Sequence, residues 1–240
     1  MEKFINEKVV VYISKFTNTK VIKALKDGMM FSLPFLMIGS LFLLIANLPI
    51  KSLNTLVAEC GLADICSQVY SSTFSLMALF TVVGITYSYL KNDKISTAVN
   101  GALTGLAAFV LLTPSSKVLE NGEAVTGVIS KDWTAGQGMI CAILIGFLVG
   151  YIYSLCIRKD IRVKMPEGVP PGVADSFSSL LPTGIITIVC AIIYAVCHFV
   201  FKTTFAELIY SAIQIPLQGV TDSFAGVVIM TVMMSLLWWT

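Results

Sequence analysis

The chain has 240 residues, 56% of them apolar and 12% charged, with a formal net charge of +2. Soluble domains lie nearer to ~45–50% apolar and ~25% charged, so a single water-soluble core cannot absorb this much apolar surface. Long neutral runs meet the roughly 20 residues a helix needs to cross about 30 Å of hydrocarbon, and they are continuous rather than alternating, which excludes barrel strands.

In chain order, residues 1–28 read as a cytoplasmic amphipathic leader. Ile5, Val9, Tyr12 and Phe16 share one helical face with Lys8 and Lys15 off it, the pattern of a helix lying on the inner leaflet, with a partly ordered tail as the alternative. No cleavable secretory signal is expected, because the first apolar run is long and lacks a small-residue cleavage site. Residues 29–240 read as a transmembrane domain with five complete spans: Met29–Leu48, Tyr70–Leu90, Thr97–Thr113, Trp133–Ile157 and Phe177–Phe201. A sixth span begins near Phe224. The third is short, so part of it, or of the fourth, has a re-entrant segment as its alternative. Between spans five and six, Phe205, Leu208, Ile209, Ala212 and Ile213 repeat at helical spacing up to Pro216, giving a second interfacial or bundle-packed helix. The fold class is an all-α integral membrane protein, a polytopic helical bundle with amphipathic interfacial helices.

Placing the N-terminus in the cytoplasm puts Lys3, Lys8, Lys15, Lys20, Lys23, Lys26, Lys91, Lys94, Arg158, Lys159, Arg162 and Lys164 inside. Only Lys51, Lys117, Lys131 and Lys202 of the 16 basic residues then lie outside. That is the positive-inside pattern in all three inner segments.

The six cysteines form no disulfide framework; Cys60 and Cys66 share one loop, a weak pairing signal. No Cys/His spacing points to a metal site, and no cofactor is expected. All 14 acidic residues lie in loops or near span ends, whereas carriers driven by protons or sodium need an ion site at membrane depth. An uncharged substrate is instead held by amides, hydroxyls and aromatic faces. Asn100 and Gln137 are the two amides expected inside spans, each with an interhelical hydrogen bond as the bland alternative. Gln137 is followed by Gly138 in Trp133-Thr134-Ala135-Gly136-Gln137-Gly138, where glycine permits close backbone approach; an interfacial Trp with a packing face reads equally well. His198, the only histidine, has no acidic or nucleophilic partner in view and reads as an interfacial residue.

The strongest motif runs from Met165 through Pro166, Glu167, Gly168, Val169, Pro170 and Pro171 to Phe177. Its prolines and glycines forbid a continuing helix, and Asp175 or Ser176 is expected to cap a helix opening at Phe177. Physics gives a rigid loop and no substrate.

This run, followed by Ser176-Phe177 and Leu180-Leu181-Pro182, resembles the signature of the IIC membrane component of the lactose/cellobiose (diacetylchitobiose-type) family of phosphotransferase systems. So do Gly136-Gln137-Gly138 before the Ala142–Gly146 run, and Leu33-Pro34-Phe35 with Ile38-Gly39-Ser40. The resemblance implies a plasma-membrane sugar permease that binds a β-linked disaccharide, presents it to a phosphorylated IIB partner charged by IIA, and assembles as a homodimer; no nucleic acid is implied. It also implies a Gly-x-His-Gly element and a later glutamate, the family's sugar-binding and phosphoryl-transfer groups. Trp238-Trp239-Thr240 looks like the approach to that element, and His198 does not match its histidine. The chain therefore reads as the N-terminal part of a longer protein that carries no catalytic residue of its own. Trp238, Gln137, Gly138 and Asn100 are the expected sugar contacts, and the Met165–Pro171 loop is the expected cytoplasmic motif. The competing classes are an ion-coupled carrier or channel and a non-catalytic dimerisation module.

Overall fold

Apolar runs become helices in hydrocarbon because every N–H and C=O has to find its partner within the segment. The computed structural model describes residues 19–48, 57, 59–118, 123–166, 168–221 and 223–239. Its first unit is bent: α1 (Lys20–Met30) and α2 (Leu33–Ala46) meet at 41°. Pro34 in the first turn of α2 cannot donate back into α1, and the Ser32 hydroxyl donates to the Met29 carbonyl at 2.6 Å instead. The expected border at residue 28 therefore falls inside α1, which buries Ala24 and Gly28 in the bundle. The leader positions Ile5, Val9, Tyr12 and Phe16 lie outside the described residues.

The second unit runs Leu62–Asn92 and starts before the expected Tyr70; it comprises α3 (Leu62–Thr73), a tight 3-10 turn at Phe74–Leu76, and α4 (Met77–Asn92). Next comes α5 (Ala98–Leu112), within a residue of its expected ends, whose 15 residues reach only about 22 Å. A short hairpin, not expected from the sequence, stands in the loop that follows: β1 (Ser116–Val118) pairs antiparallel with β2 (Ala124–Thr126), Lys117 opposite Val125. The expected fourth span is broken at its start into α6 (Lys131–Thr134), a 3-10 turn at Gly136–Gly138, and α7 (Met139–Arg158).

The expected opening at Phe177 is also corrected, because α8 spans Pro171–Val196 and ends in a π turn at Cys197–Phe201. Pro170 holds extended backbone and Pro171 takes the first helical position, where the missing N–H has no intrahelical partner to lose. Asp175 and Ser176 thus sit inside the helix rather than capping it. After α8, α9 (Phe205–Ile209), a π turn at Tyr210–Gln214 and α10 (Ile215–Thr221) carry the chain through Pro216, where a stop was expected. The widened turn accommodates a proline that supplies no N–H and crowds the preceding turn. The last helix, α11, covers Phe224–Trp239 and begins at the expected residue.

Among the described residues, three helical units are long and apolar enough to cross a membrane, Leu62–Asn92, Gly136–Arg158 and Pro171–Phe201, and the bent α1–α2 pair makes a fourth if taken as one span. Together they make a multi-pass helical membrane protein.

Helix α4 lies at the centre, packed by α1, α5 and α7. Ile85, Leu90, Phe109, Ile145 and Tyr153 are fully or almost fully buried around it. In lipid, such packing depends on small residues that let backbones approach. The α1–α4 crossing is the extreme case: a Cβ on Gly84 would stand 2.2 Å from the Gly28 carbonyl oxygen, and one on Gly28 would stand 2.5 Å from the Ile85 backbone. Apolar side chains such as Met37, Leu41 and Leu44 on α2, and Ile188 and Ile192 on α8, face outward, as they do when lipid is the solvent.

Candidate functional site

The basic end of the bundle is organised by a carboxylate. Helix α4 closes at Asn92, and Lys94 takes a left-handed φ of 57° two residues later, which turns the chain back toward α5. Asp93 is thereby swung under the bundle with its side chain 6% exposed. It accepts hydrogen bonds from the Lys20 ammonium at the start of α1, from the Ser154 hydroxyl on α7, and from Arg158 Nη2 at 2.8 Å. Lys20 also stands 3.8 Å from the centroid of the Tyr89 ring. Burial alone opposes ionisation of Asp93. The hydrogen bonds from Lys20 and Ser154, and the charges of Lys20 and Arg158, outweigh that and hold its carboxyl below the usual carboxylate range. One side chain thus ties α1 and α7 to the end of α4.

Beside it, α5 and α8 are stitched by polar groups. Asn100 Nδ2 donates to the Asp175 carbonyl at 3.2 Å and to Ser179 Oγ at 3.1 Å, and the Thr104 and Thr183 hydroxyls meet at 2.9 Å. The Tyr153 hydroxyl donates to Thr97 Oγ1 at 2.9 Å. The Asn100 amide therefore makes the interhelical bond that was the bland reading of it. The Met165–Pro171 loop reaches the same end: Ser178 Oγ donates to the Val163 carbonyl at 3.1 Å, just before the motif. Met165 is half-buried, and Pro166, Gly168, Pro170 and Pro171 are exposed, with Gly168 at φ 103°, a backbone region that favours glycine. Glu167 lies outside the described residues.

The Gly136-Gln137-Gly138 turn lies at the other end. Thr134 Oγ1 donates to the Ser75 carbonyl at 2.8 Å, so the broken start of the fourth span rests on the 3-10 break in the second. A Cβ on Gly138 would lie 1.8 Å from the Trp133 carbonyl oxygen, and Trp133 packs edge-on against Tyr210 with centroids 5.7 Å apart. Gln137 is exposed at the start of the Gly136–Arg158 unit. The cause is Ala135, whose backbone (φ −94°, ψ −140°) breaks the helix and leaves Gln137 in a tight turn at its mouth. Asn100 and Gln137 are not brought together: Gly138 lies near Phe109, and nine residues of α5 separate that ring from Asn100, roughly 13 Å. Trp238 lies in the last turn of α11, and its side chain and that of Trp239 are outside the described residues.

His198 is exposed in the π turn and stacks on Tyr194 at 5.8 Å, with no acid beside it among the described contacts. All six cysteines are free, Cys60 exposed and Cys66 buried. Among the described residues no three His, Cys, Asp or Glu side chains gather as metal ligands. The arrangement is a scaffold with a polar, basic mouth. Sequence reasoning missed the Asp93 node. Its signal was the pair of basic clusters around Lys20 and Arg158, which only three dimensions bring to one carboxylate.

The family described as "Phosphotransferase system, EIIC" matches residues 26–240. The chain is 33% identical over 237 residues to the oligo-beta-mannoside-specific EIIC component of the phosphotransferase system of Bacillus subtilis (strain 168), covering 98% of this chain and 53% of that protein. It is 30% identical over 252 residues to the cellobiose-specific EIIC component of Geobacillus stearothermophilus, covering 100% of this chain and 55% of the relative. Among solved structures, the transporter ChbC, the IIC component of the N,N'-diacetylchitobiose-specific phosphotransferase system, superposes with a TM-score of 0.88 at 30% identity, over 98% of this chain and 56% of that one. The chain thus spans about half the length of the curated relatives it matches. With the family matching across all but the first residues, and the helical scaffold matching as well, the chain belongs to the phosphotransferase system EIIC family.

Proposed function

We propose that the chain is part of the membrane translocation subunit of a phosphoenolpyruvate-dependent sugar phosphotransferase system. It takes up a β-linked disaccharide of the cellobiose, diacetylchitobiose or lactose class and exposes a sugar hydroxyl to a phosphorylated IIB partner, itself charged by IIA. Phosphorylation then traps the sugar and makes uptake one-way. The observation that carries this reading is the likeness along 98% of the chain to a chitobiose IIC component. The acidic residues agree with it: Asp64 lies in the first turn of α3 and Asp175 in the second turn of α8, and in the three long apolar units no carboxylate among the described residues stands mid-span to serve an ion-coupled carrier. The scaffold of five spans and a homodimer are part of the proposal.

Orientation rests on the distribution of Lys and Arg, with the Asp93 end and the Met165–Pro171 loop in the cytoplasm. Single cysteines placed at Lys94 and Lys164 on a cysteine-free background will label only from the cytoplasmic side, and one at Lys117 only from outside. Labelling of position 164 from outside overturns this topology.

Trp238 supplies the sugar platform, because the C–H face of a pyranose packs on a flat ring. Adjacent residues on a helix point about 100° apart, so Trp239 faces elsewhere. Trp238→Ala, made in the natural gene, will weaken disaccharide binding by roughly 1–3 kcal/mol, and Trp239→Ala will leave affinity nearly unchanged. Unaltered affinity in the Trp238 variant removes Trp238 from the site.

A further inference from the structure

At the basic end, a cavity of about 250 Å³ opens between the turn after α4, the end of α7 and the first turns of α8. Its walls carry Lys94, Arg158 and Arg162, with Asp93 and Asp175 as the acidic groups. The charge of Asp93 is matched by Lys20 and Arg158. Asp160, outside the cavity, pairs with Arg162 and Lys164. Among the described residues Lys94 enters no ion pair. In the cavity lining three cations (Lys94, Arg158, Arg162) face two carboxylates (Asp93, Asp175), an excess of one positive charge, and beside it Lys20 and Lys164 against Asp160 add one more. Below the mouth, α5 and α8 present an apolar outer surface, with Val99 and Leu103 on one and Phe177 and Leu180 on the other all more than a third exposed.

We propose that this cavity holds the phosphate headgroup of an anionic phospholipid, with Lys94 and Arg162 on the phosphate and the acyl chains along the α5–α8 surface. A neutral sugar gives no reason for an excess of cations, and a free anion gives no reason for the apolar wall beneath them. Basic pockets between spans are the usual place for such headgroups, each cation near the surface contributing about a fivefold gain in affinity. Asp175 opposes the anion, so its removal strengthens binding. The inference rests on the membrane-embedded fold and is independent of the sugar reading.

The test titrates the detergent-purified protein with short-chain phosphatidylglycerol or phosphatidylcholine and counts bound lipid by native mass spectrometry. Phosphatidylglycerol is expected to bind about 25-fold tighter than phosphatidylcholine, the product of two cations at about fivefold each. Lys94→Gln and Arg162→Gln will each weaken phosphatidylglycerol about fivefold, and Asp175→Asn will tighten it by a similar factor. Lys117→Gln, at the opposite end of the bundle, will change nothing. Lys94 is exposed on a turn, so its replacement leaves the fold in place and keeps the test decisive. Equal affinity for the two lipids, or an equal effect of Lys117→Gln and Lys94→Gln, overturns the proposal. Displacement of the lipid by inorganic phosphate alone also overturns it and assigns the cavity to a free anion.

Discussion

Asp93→Ala will lower the stability of the detergent-solubilised protein by about 2–3 kcal/mol, among the largest effects of any single polar substitution in the chain. Removing one member of a buried charge cluster costs about 3–5 kcal/mol when the others are left without a partner. Here the figure is discounted because the Lys20 and Arg158 side chains are 33% and 63% exposed and regain water. The same residue gives the bundle an acid limit. The carboxyl of Asp93 is held below its ordinary value in the folded chain, so its contribution is complete above the unfolded value near pH 4 and is lost as the pH falls through the lower folded value. Wild-type melting temperature will therefore drop below about pH 4, and Asp93→Asn will lower it at neutral pH and flatten that acid slope. An acid slope in Asp93→Asn equal to that of the wild type means that other groups set the limit.

A second large effect is expected at the α1–α4 crossing. Gly84→Ala places a methyl group where the Gly28 carbonyl oxygen stands, and the contact involves backbone on both sides, so no side chain can swing away. A loss of about 3 kcal/mol follows for alanine, and Gly84→Leu will expel α1 from the bundle. Gly172→Ala is the control: nothing lies within 4 Å of its added carbon, and alanine in the first turn of α8 will be neutral or stabilise by up to about 1 kcal/mol. Thermal unfolding of the three purified variants compares them directly. Equal melting temperatures for Gly84→Ala and Gly172→Ala would mean the helices separate without cost.

The membrane class, the family and several span borders were legible in the sequence because each rests on local composition or on a contiguous motif. Helix α5 came within a residue of its expected ends, since Thr97 and Thr113 bound an uncharged, mostly apolar run. The opening of α8 was misplaced because Pro170-Pro171 reads as a turn, whereas a proline at the first helical position is compatible with a helix that starts there. The exposure of Gln137 was not legible, because hydropathy averages over the break at Ala135, a backbone feature with no hydropathy of its own. The Asp93 node was the least legible. Its partners lie 61, 65 and 73 residues away, and periodicity carries no information at that range. Asn100 was recognised as a polar residue in a span, but only the packing of α5 on α8 showed that its amide joins the two helices.

The role proposed for this chain is as part of a permease that takes up a β-linked disaccharide by phosphorylation. The most direct measurement is phosphoenolpyruvate-dependent formation of intracellular sugar phosphate from labelled cellobiose, diacetylchitobiose and lactose, in host cells with and without the gene that encodes it. Deletion will abolish phosphorylation of at least one of these sugars, the intact gene will restore it, and uptake without phosphorylation will not occur. Undiminished sugar phosphate from all three in the deletion strain, or accumulation of the unmodified sugar driven by a proton or sodium gradient, would contradict it.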